Sequence, residues 1–439
     1  LKKIMKVLHV PYVWMPDPCG GTEVYVRALI RCLADLGHAN EVVVASPRIT
    51  HAVMELVDGV TTHRLPCPEQ MPAEILYGEG EPASAQAFAR LLEERRPEVV
   101  HFHAFTPVVS RLWMLAAKMR GVSCVYTFHT PTLICARGTL LLRGRVPCDG
   151  EMKPLRCAEC TLQGLGVPGP AAFMLALLSP ITAPLFSKVP FRMWPLMRLR
   201  LEAVRGWLVG MNRVVVLNAW SKAVLKRNGL AESHLCVVRH GLAHPAVGLQ
   251  KADGMKKPDQ VRLGFFGRVD RAKGLGLLAK VLEAWPDLKL ELHCHLIGED
   301  AAEPGMQEVV KRLRADSRVR LHPTEPPESV IRVMSGYDAV LVPSLGFETG
   351  PLVVLEAFAA GVPVIGSDLG GIAEWVTHEA DGLLCPPGDV KAWGDALERF
   401  TMDAALRQRL CAGVRPPPAM SDVAARMVEV YMEARSDTP

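Results

Sequence analysis

Two acids, Glu348 and Glu356, stand eight positions apart in the stretch SLGFETGPLVVLEAFAAGVPVIGS, with a mostly apolar run between them. LVPS reads as the end of a strand, LGFETG as a loop and PLVVLEAFAAG as a helix. Pro351 suits the first helical turn, where a missing N–H costs nothing. Such a helix start leaves the N–H groups of about Leu352 and Val353 free, and the helix dipole adds positive potential there. That combination is suited to a diphosphate. Glu348 falls just before the helix, with Thr349 and Gly350 in the same turn, and Glu356 lies about a turn and a half inside it. One carboxylate can reach a sugar at one end of the diphosphate, while the other accepts both hydroxyls of a ribose diol. A capping acid plus a solvated helical glutamate is the plain alternative, and for this pair alone the two readings weigh equally.

Other residues point the same way. GFFGRVDRAKGL follows a strand. In it Gly264 and Gly267 permit close backbone approach. Arg268 and Lys273 place two cations in one loop, as a leaving diphosphate requires; the plain alternative is a solvated basic loop. His129, in TFHT, ends a strand. A lone histidine there is usually a hydrogen-bonded structural group, but the carboxyl end of a strand in an α/β sheet is also where ligands bind. His101 and His103 in HFHAF alternate, so both point to one face, and two histidines without a third ligand are weak evidence for a metal. Gly370, Gly371 and Glu374 in GGIAEW mark another strand–helix turn. His240 in VRHGL reads as structural.

Cys135, Cys148, Cys157 and Cys160 fall within 128–164, a stretch with no clear strand or helix period. The closing CxxC is the usual knuckle of a tetrahedral thiolate site, and two further cysteines complete four ligands. A closed four-thiolate site is typical of structural zinc, placed here ahead of an iron–sulfur cluster. Free buried cysteines are the plain alternative.

The elements that must position these residues alternate strand and helix. Short β-branched runs such as IMKVLHV, EVVVAS, VSCVYTF, RVVVL, VRLGFFGRV and VPVIGSD are separated by amphipathic stretches, the pattern of parallel α/β sheets. A polar, turn-rich stretch at 248–260 reads as a linker. The organisation is therefore a first domain over 1–247, with a Cys-rich insertion at 130–164 and an apolar helical segment at 170–209. A second domain covers 261–417, and a C-terminal helix at 418–439 packs back toward the first.

The 439 residues are 49% hydrophobic and 22% charged, which suits two or three packed domains and excludes wholesale disorder. A net charge of +4 with no nucleic-acid-binding pattern argues against a nucleic-acid partner. The opening LKKIMKVLHVPY reads as a strand rather than a leader, which places the 12 cysteines in a reducing cytoplasm. AAFMLALLSPITAPLF (171–186), broken by Pro180 and Pro184, is too interrupted to span a membrane. Buried helices of an acceptor domain are preferred for it over a helix pair lying on the inner face of a membrane.

FETGPLVVLEAFAAGVPVIGSDLGGIAEWV, GRVDRAKG and CGGTEVYVRALIRCLADLGH together resemble the retaining GT-B glycosyltransferases of family four. The resemblance covers most of the chain. It implies an α/β fold of two doubly wound, Rossmann-like domains facing a cleft, and transfer of a sugar from a nucleoside diphosphate sugar, UDP favoured over GDP. The acceptor would be a hydroxyl of a sugar, a lipid-linked molecule or a small molecule. In this family the two spaced glutamates contact donor sugar and ribose, which implies those roles for Glu348 and Glu356. Arg268 and Lys273 would grip the diphosphate beside Gly267, Gly20 and Gly21 would face the donor phosphate and acceptor, and His129 would lie over the reacting sugar. No metal would be needed for catalysis. GFETG and the cysteine insertion depart from the usual pattern, which bears on the sugar and the acceptor. A nucleotide-sugar epimerase of the same fold and an inactive zinc-bearing interaction protein are the rival readings.

Overall fold

The computed structural model describes residues 4–17, 20–242, 260–300 and 302–437. The chain divides into two units, residues 1–243 with 420–439 and residues 244–419. The linker read at 248–260 lies outside the described residues apart from Gln260.

Unit 1 begins with β1 (Lys6–Val10), β2 (Ala39–Ser46), β3 (Val53–Val57), β4 (Val60–Pro66), β5 (Val99–Phe102) and β6 (Ser123–Phe128). A small hairpin of β7 (Leu141–Leu142) and β8 (Val146–Pro147) precedes β9 (Arg213–Val216) and β10 (Leu235–Val237). Eight strands form one sheet in the order β10-β9-β6-β5-β1-β2-β4-β3. It is parallel except for the β3–β4 pair. Val99, Val100, Val214, Val215 and Val216 are all fully buried, as expected of strands covered on both faces. β3 was not legible as a strand: it is an edge that leaves Met54 and Leu56 exposed, so no buried run marks it.

Two helices from opposite ends of the chain close this core. The Gly21–Asp35 helix buries Tyr25, Val26, Leu29, Ile30 and Leu33, one face at helical spacing. The Met420–Ser436 helix buries Val423, Met427, Val430, Tyr431 and Ala434 in the same cluster as Met5, Val7 and Tyr25.

The stretch read as irregular is not wholly so. It holds the β7–β8 hairpin and a helix, Pro154–Gly164, that carries Cys157 and Cys160. Its apolar face is short, Ala158 and Leu162 packed against Ala172, Ala176 and Met197, so polar neighbours hid the period. The preference for buried helices at 170–209 is corrected for its first helix. Gly169–Thr182 buries only Ala172, Ala176 and Ser179, while Phe173, Met174, Leu177, Leu178 and Ile181 are exposed. Among the described residues no helix is long and apolar enough to cross a membrane.

Unit 2 is a six-stranded parallel sheet of β11 (Val261–Arg268), β12 (Leu290–Ile297), β13 (Val319–His322), β14 (Ala339–Val342), β15 (Val364–Ser367) and β16 (Gly382–Cys385). The order is β13-β12-β11-β14-β15-β16. Its strands are near-continuous apolar runs, AVLV of β14 being buried throughout.

Candidate active-site residues in the two units

In unit 2 three loops meet beyond the carboxyl ends of β11, β14 and β15. The loop after β11 turns through Arg271–Lys273 and enters the Leu275–Ala284 helix at Gly274, whose φ of +78° favours glycine. A Cβ there would lie 1.8 Å from the Pro343 carbonyl oxygen, so glycine is also what lets the loop sit against the end of β14. Leu345 N–H donates to the Ala272 carbonyl at 2.7 Å and fastens the two loops. Lys273 Nζ then meets Glu348 Oε1 at 2.6 Å, and Ser344 Oγ donates to the same oxygen at 2.9 Å. Burial pushes the Glu348 carboxyl up. Lys273, Ser344 and Arg268 together outweigh that and hold it below the ordinary range. The third loop closes on Glu348 from its backbone side. Gly371 N–H donates to the Glu348 carbonyl at 2.8 Å, and Gly370, at φ +54°, lies against Phe347 and Glu348.

The helix expected after Glu348 is Leu352–Ala359. Pro351 sits one residue before it rather than in its first turn, and its carbonyl accepts from Val354 N–H at 3.0 Å. The N–H groups of Leu352 and Val353 therefore precede the helix's own bonding. Thr349 is buried, and Gly350 is half-buried. Glu356 is half-buried one turn on, and its carboxylate makes no hydrogen bond or ion pair to a described residue. Burial pushes its carboxyl up to about 7. Arg268 ends β11 and is exposed, with Asp270 at 3.2 Å. Gly264 has a different role from the one read for it. It is inside β11, where a Cβ would lie 2.7 Å from the Tyr337 ring, so it serves packing; Gly267 has more room.

In unit 1 Gly20 and Gly21 begin the Gly21–Asp35 helix beyond β1, and Gly20 N–H donates to Glu23 Oε2 at 2.9 Å. His129 follows β6, with its ring edge-on to Tyr25 of that helix at 4.8 Å between centroids. Tyr25 stands in the same relation to His240, which agrees with a packing role for the latter.

A string of side chains runs from His129 into the core. Asn40 Nδ2 donates to the His38 carbonyl at 2.9 Å, which turns Asn40 Oδ1 toward His9 Nε2 at 3.1 Å. His9 Nε2 must then carry the proton. His9 Nδ1 therefore accepts from His103 Nε2 at 3.3 Å, and His103 Nδ1 accepts from His129 Nε2 at 3.0 Å. The string thus assigns His129 the Nε2–H tautomer. Burial lowers these rings to about 4 for His9 and about 3 for His129, the latter helped by His240. His101 and His103 are lowered well below the ordinary value, first by burial and then by their neighbours, His9 and His129 acting on His101 and all three other rings on His103. All four are neutral at physiological pH.

His9, His101 and His103 also bring one ring nitrogen each within 4.8 Å of the others, the spacing of a metal site. Yet all six of their ring nitrogens have hydrogen-bond partners, including Tyr431 and Thr127 at 2.7 Å from His101. The trio is a satisfied hydrogen-bonded cluster. His9 and Asn40 were missed in the sequence, although histidines at the ends of β1, β5 and β6 were a signal. Ser344 gave none.

Cys135, Cys148, Cys157 and Cys160 line one cavity in unit 1. None is in a disulfide.

Residues 20–241 match the family profile described as glycosyl transferase 4-like domain, and residues 249–414 match glycosyl transferases group 1. The chain belongs to these glycosyltransferases. This glycosyltransferase is 27% identical over 427 residues to a D-inositol 3-phosphate glycosyltransferase of Kribbella flavida, covering 89% of this chain and 84% of that one. It is 30% identical to the enzyme of the same description from Corynebacterium urealyticum, but over only 38% of this chain and 42% of the relative's length. Among solved structures, sucrose-phosphate synthase of Thermosynechococcus elongatus superimposes with a TM-score of 0.67 at 18% identity, covering 98% of this chain and 99% of that one. HepE of Anabaena, in complex with UDP and glucose, gives 0.64 at 15% identity over 98% and 99%. These likenesses show the GT-B fold, an α/β fold of two parallel-sheet domains.

Proposed function

We propose that the protein transfers a sugar from a nucleoside diphosphate sugar, UDP-linked in preference to GDP-linked, to an acceptor hydroxyl with retention of anomeric configuration. The observation that carries this is the Lys273–Glu348 pair at the start of the Leu352–Ala359 helix, with Glu356 unpaired one turn on. In this reading the diphosphate rests on the Leu352 and Val353 N–H groups, with Gly350 and Thr349 beneath it and Arg268 and Lys273 neutralising it. Glu348 holds the donor sugar and Glu356 the ribose diol. Gly267, Gly20 and Gly21 allow close approach of the phosphates, and His129 donates Nε2–H inward to His103. Its assignment to the reacting sugar follows the family resemblance. The bond from acceptor oxygen to anomeric carbon forms on the face from which the sugar–diphosphate bond breaks, and the acceptor proton passes to a diphosphate oxygen. UDP and glucose in HepE and the inositol phosphate named for the relatives support the donor and a small polar acceptor.

A panel of UDP- and GDP-sugars, each offered inositol phosphate, simple sugars and lipid-linked sugars, tests the reading. Product with the donor's anomeric configuration is expected with at least one UDP-sugar. Interconversion of the donor sugar without acceptor would instead establish an epimerase, and binding without turnover an inactive protein.

The exposed face of Gly169–Thr182 favours peripheral membrane contact as part of this function. Phe173, Leu177 and Ile181 recur at helical spacing, Leu185 and Phe186 continue the exposed apolar surface, and Lys188 and Arg192 follow. Flotation with anionic vesicles, lost in Phe173→Ser/Leu177→Ser, checks it.

A further inference from the structure

The cysteine cavity is separate from every residue used above. Cys135 follows the turn after β6, Cys148 ends the β7–β8 hairpin, and Cys157 and Cys160 lie one helical turn apart on Pro154–Gly164, so they share a face. Three different local structures thus bring four thiols to one cavity of about 30 Å³.

The Cys160 side of the cavity suits an anion, while Cys148 Sγ donates to Asp149 Oδ1 at 3.8 Å. Arg143 N–H donates to Cys160 Sγ at 3.1 Å. Among the described residues Arg137 makes its polar contacts on Cys160, at 3.4 Å to the carbonyl and 3.7 Å to Sγ, and has no carboxylate partner. Among the described residues Arg200 is also without one. Its guanidinium reaches the Thr132 and Leu133 carbonyls, its Nε has no partner, and Cys135 and Cys157 are among the few groups of opposite potential charge near it. Both guanidiniums are part-buried, and Arg200, the more withdrawn from water, is held without a counter-charge at a cost. Four thiolates around a metal centre carry the net negative charge that these two arginines lack.

The spacing bears on which centre. Four thiolates on one zinc, each about 2.3 Å from it, sit about 3.8 Å apart. No three of these sulfurs lie within 4.8 Å of one another among the described residues. The cavity is also at least twice the roughly 10–15 Å³ that one water needs. A centre with its own metal–sulfide edges holds its four thiolates further apart than a lone ion does.

We propose that Cys135, Cys148, Cys157 and Cys160 hold an iron–sulfur cluster, with Arg137, Arg200 and the Arg143 N–H as its charge and hydrogen-bond partners. Cys160 and Cys157 anchor it to a helix, and Cys135 ties it to the loop that begins at His129. All four ligand positions are filled by protein, so the cluster braces that loop rather than binding substrate.

The test is metal and sulfide analysis of the full chain purified anaerobically without a histidine tag, and again after anaerobic reconstitution with iron and sulfide. About four irons and four sulfides per chain, with broad absorption near roughly 400 nm, are expected. Cys157→Ser/Cys160→Ser should lose both, and protease should then cut within 135–160 in a chain whose other fragments stay intact. One zinc with four blocked thiols would overturn the cluster while keeping a four-thiolate site. No metal by either route, with four thiols titratable in the native protein, would overturn both.

Discussion

The two units present their functional groups in opposite electrostatic styles. His129 of unit 1 is the end of a buried, neutral string through His103 and His9 to Asn40, in which each proton position is fixed by the next partner. Lys273, Glu348 and Arg268 of unit 2 are charged and part-exposed, and three loops fastened to one another by backbone contacts hold them. In the first style the ordering force is the cost of an unmet polar group in the core. In the second it is glycine and backbone hydrogen bonds, which bring Lys273 close enough to offset the burial of Glu348. Substitutions in unit 1 should therefore be read first as stability changes, and those in unit 2 as activity changes.

Lys273→Ala offers the sharpest way to break that contrast. Turnover should fall roughly 100–1000-fold, the usual loss for one preorganised charge donor. Stability should move by less than about 1 kcal/mol, since the Lys273–Glu348 pair is part-exposed. Initial rates and a denaturation midpoint on the same preparation decide it, and an unfolded variant would undo the distinction.

Glu356→Gln should weaken UDP binding by about 1.5–3 kcal/mol, as a charge-assisted hydrogen bond is lost. Because burial brings the Glu356 carboxyl up to about 7, wild-type affinity should drop as the pH falls from about 8 to about 6, when the carboxylate takes up a proton. Calorimetry at both pH values should find that slope flattened in the variant. A variant that keeps it would place the titrating group elsewhere.

On the other side of the contrast, Tyr431→Phe removes the partner of His101 Nδ1. Stability should drop by about 1–3 kcal/mol with activity per folded molecule retained. The string has its own pH signature. His9 and His129 are lowered to about 4 and about 3, so the folded unit stays unprotonated where the unfolded chain, with ordinary values near 6.5, takes up protons. Stability is then full above about 6.5 and declines by up to about 1.4 kcal/mol per pH unit and histidine as the pH falls toward those values. Unit 2 should respond less, with fewer histidines so deeply lowered, His295 at about 4 among them. Chemical denaturation followed separately in each unit would show equal slopes if the comparison fails.

The sequence carried the parallel strands and the glutamate-bearing loop well, because their signals are local: a β-branched run, a Gly-Pro before an apolar helix, two cations after a strand. It concealed what depends on partners distant in the chain. His9 looks like any strand residue until β1 is set beside β5, where it lies opposite His101. Asn40 matters only through the His38 carbonyl that turns its amide. Gly264 and Gly267 read alike, yet a Cβ on the first would meet the Tyr337 ring at 2.7 Å while the second has ordinary room. Cys157 and Cys160 read as loop residues because the buried apolar positions of their helix are only Ala158 and Leu162, beside the polar Glu159 and Thr161.

The Met420–Ser436 helix has a consequence for how the molecule is made. Unit 1 is written in two instalments, and the second is translated only after the whole of unit 2. While unit 2 is still being synthesised, the nascent first unit presents a bare groove where Val423, Met427 and Val430 belong, and His101 waits for the Tyr431 hydroxyl. Unit 2, encoded without interruption, can mature on the ribosome, whereas its elder neighbour finishes last. A ribosome stalled before residue 420 should therefore carry a protease-resistant second unit and a sensitive first one.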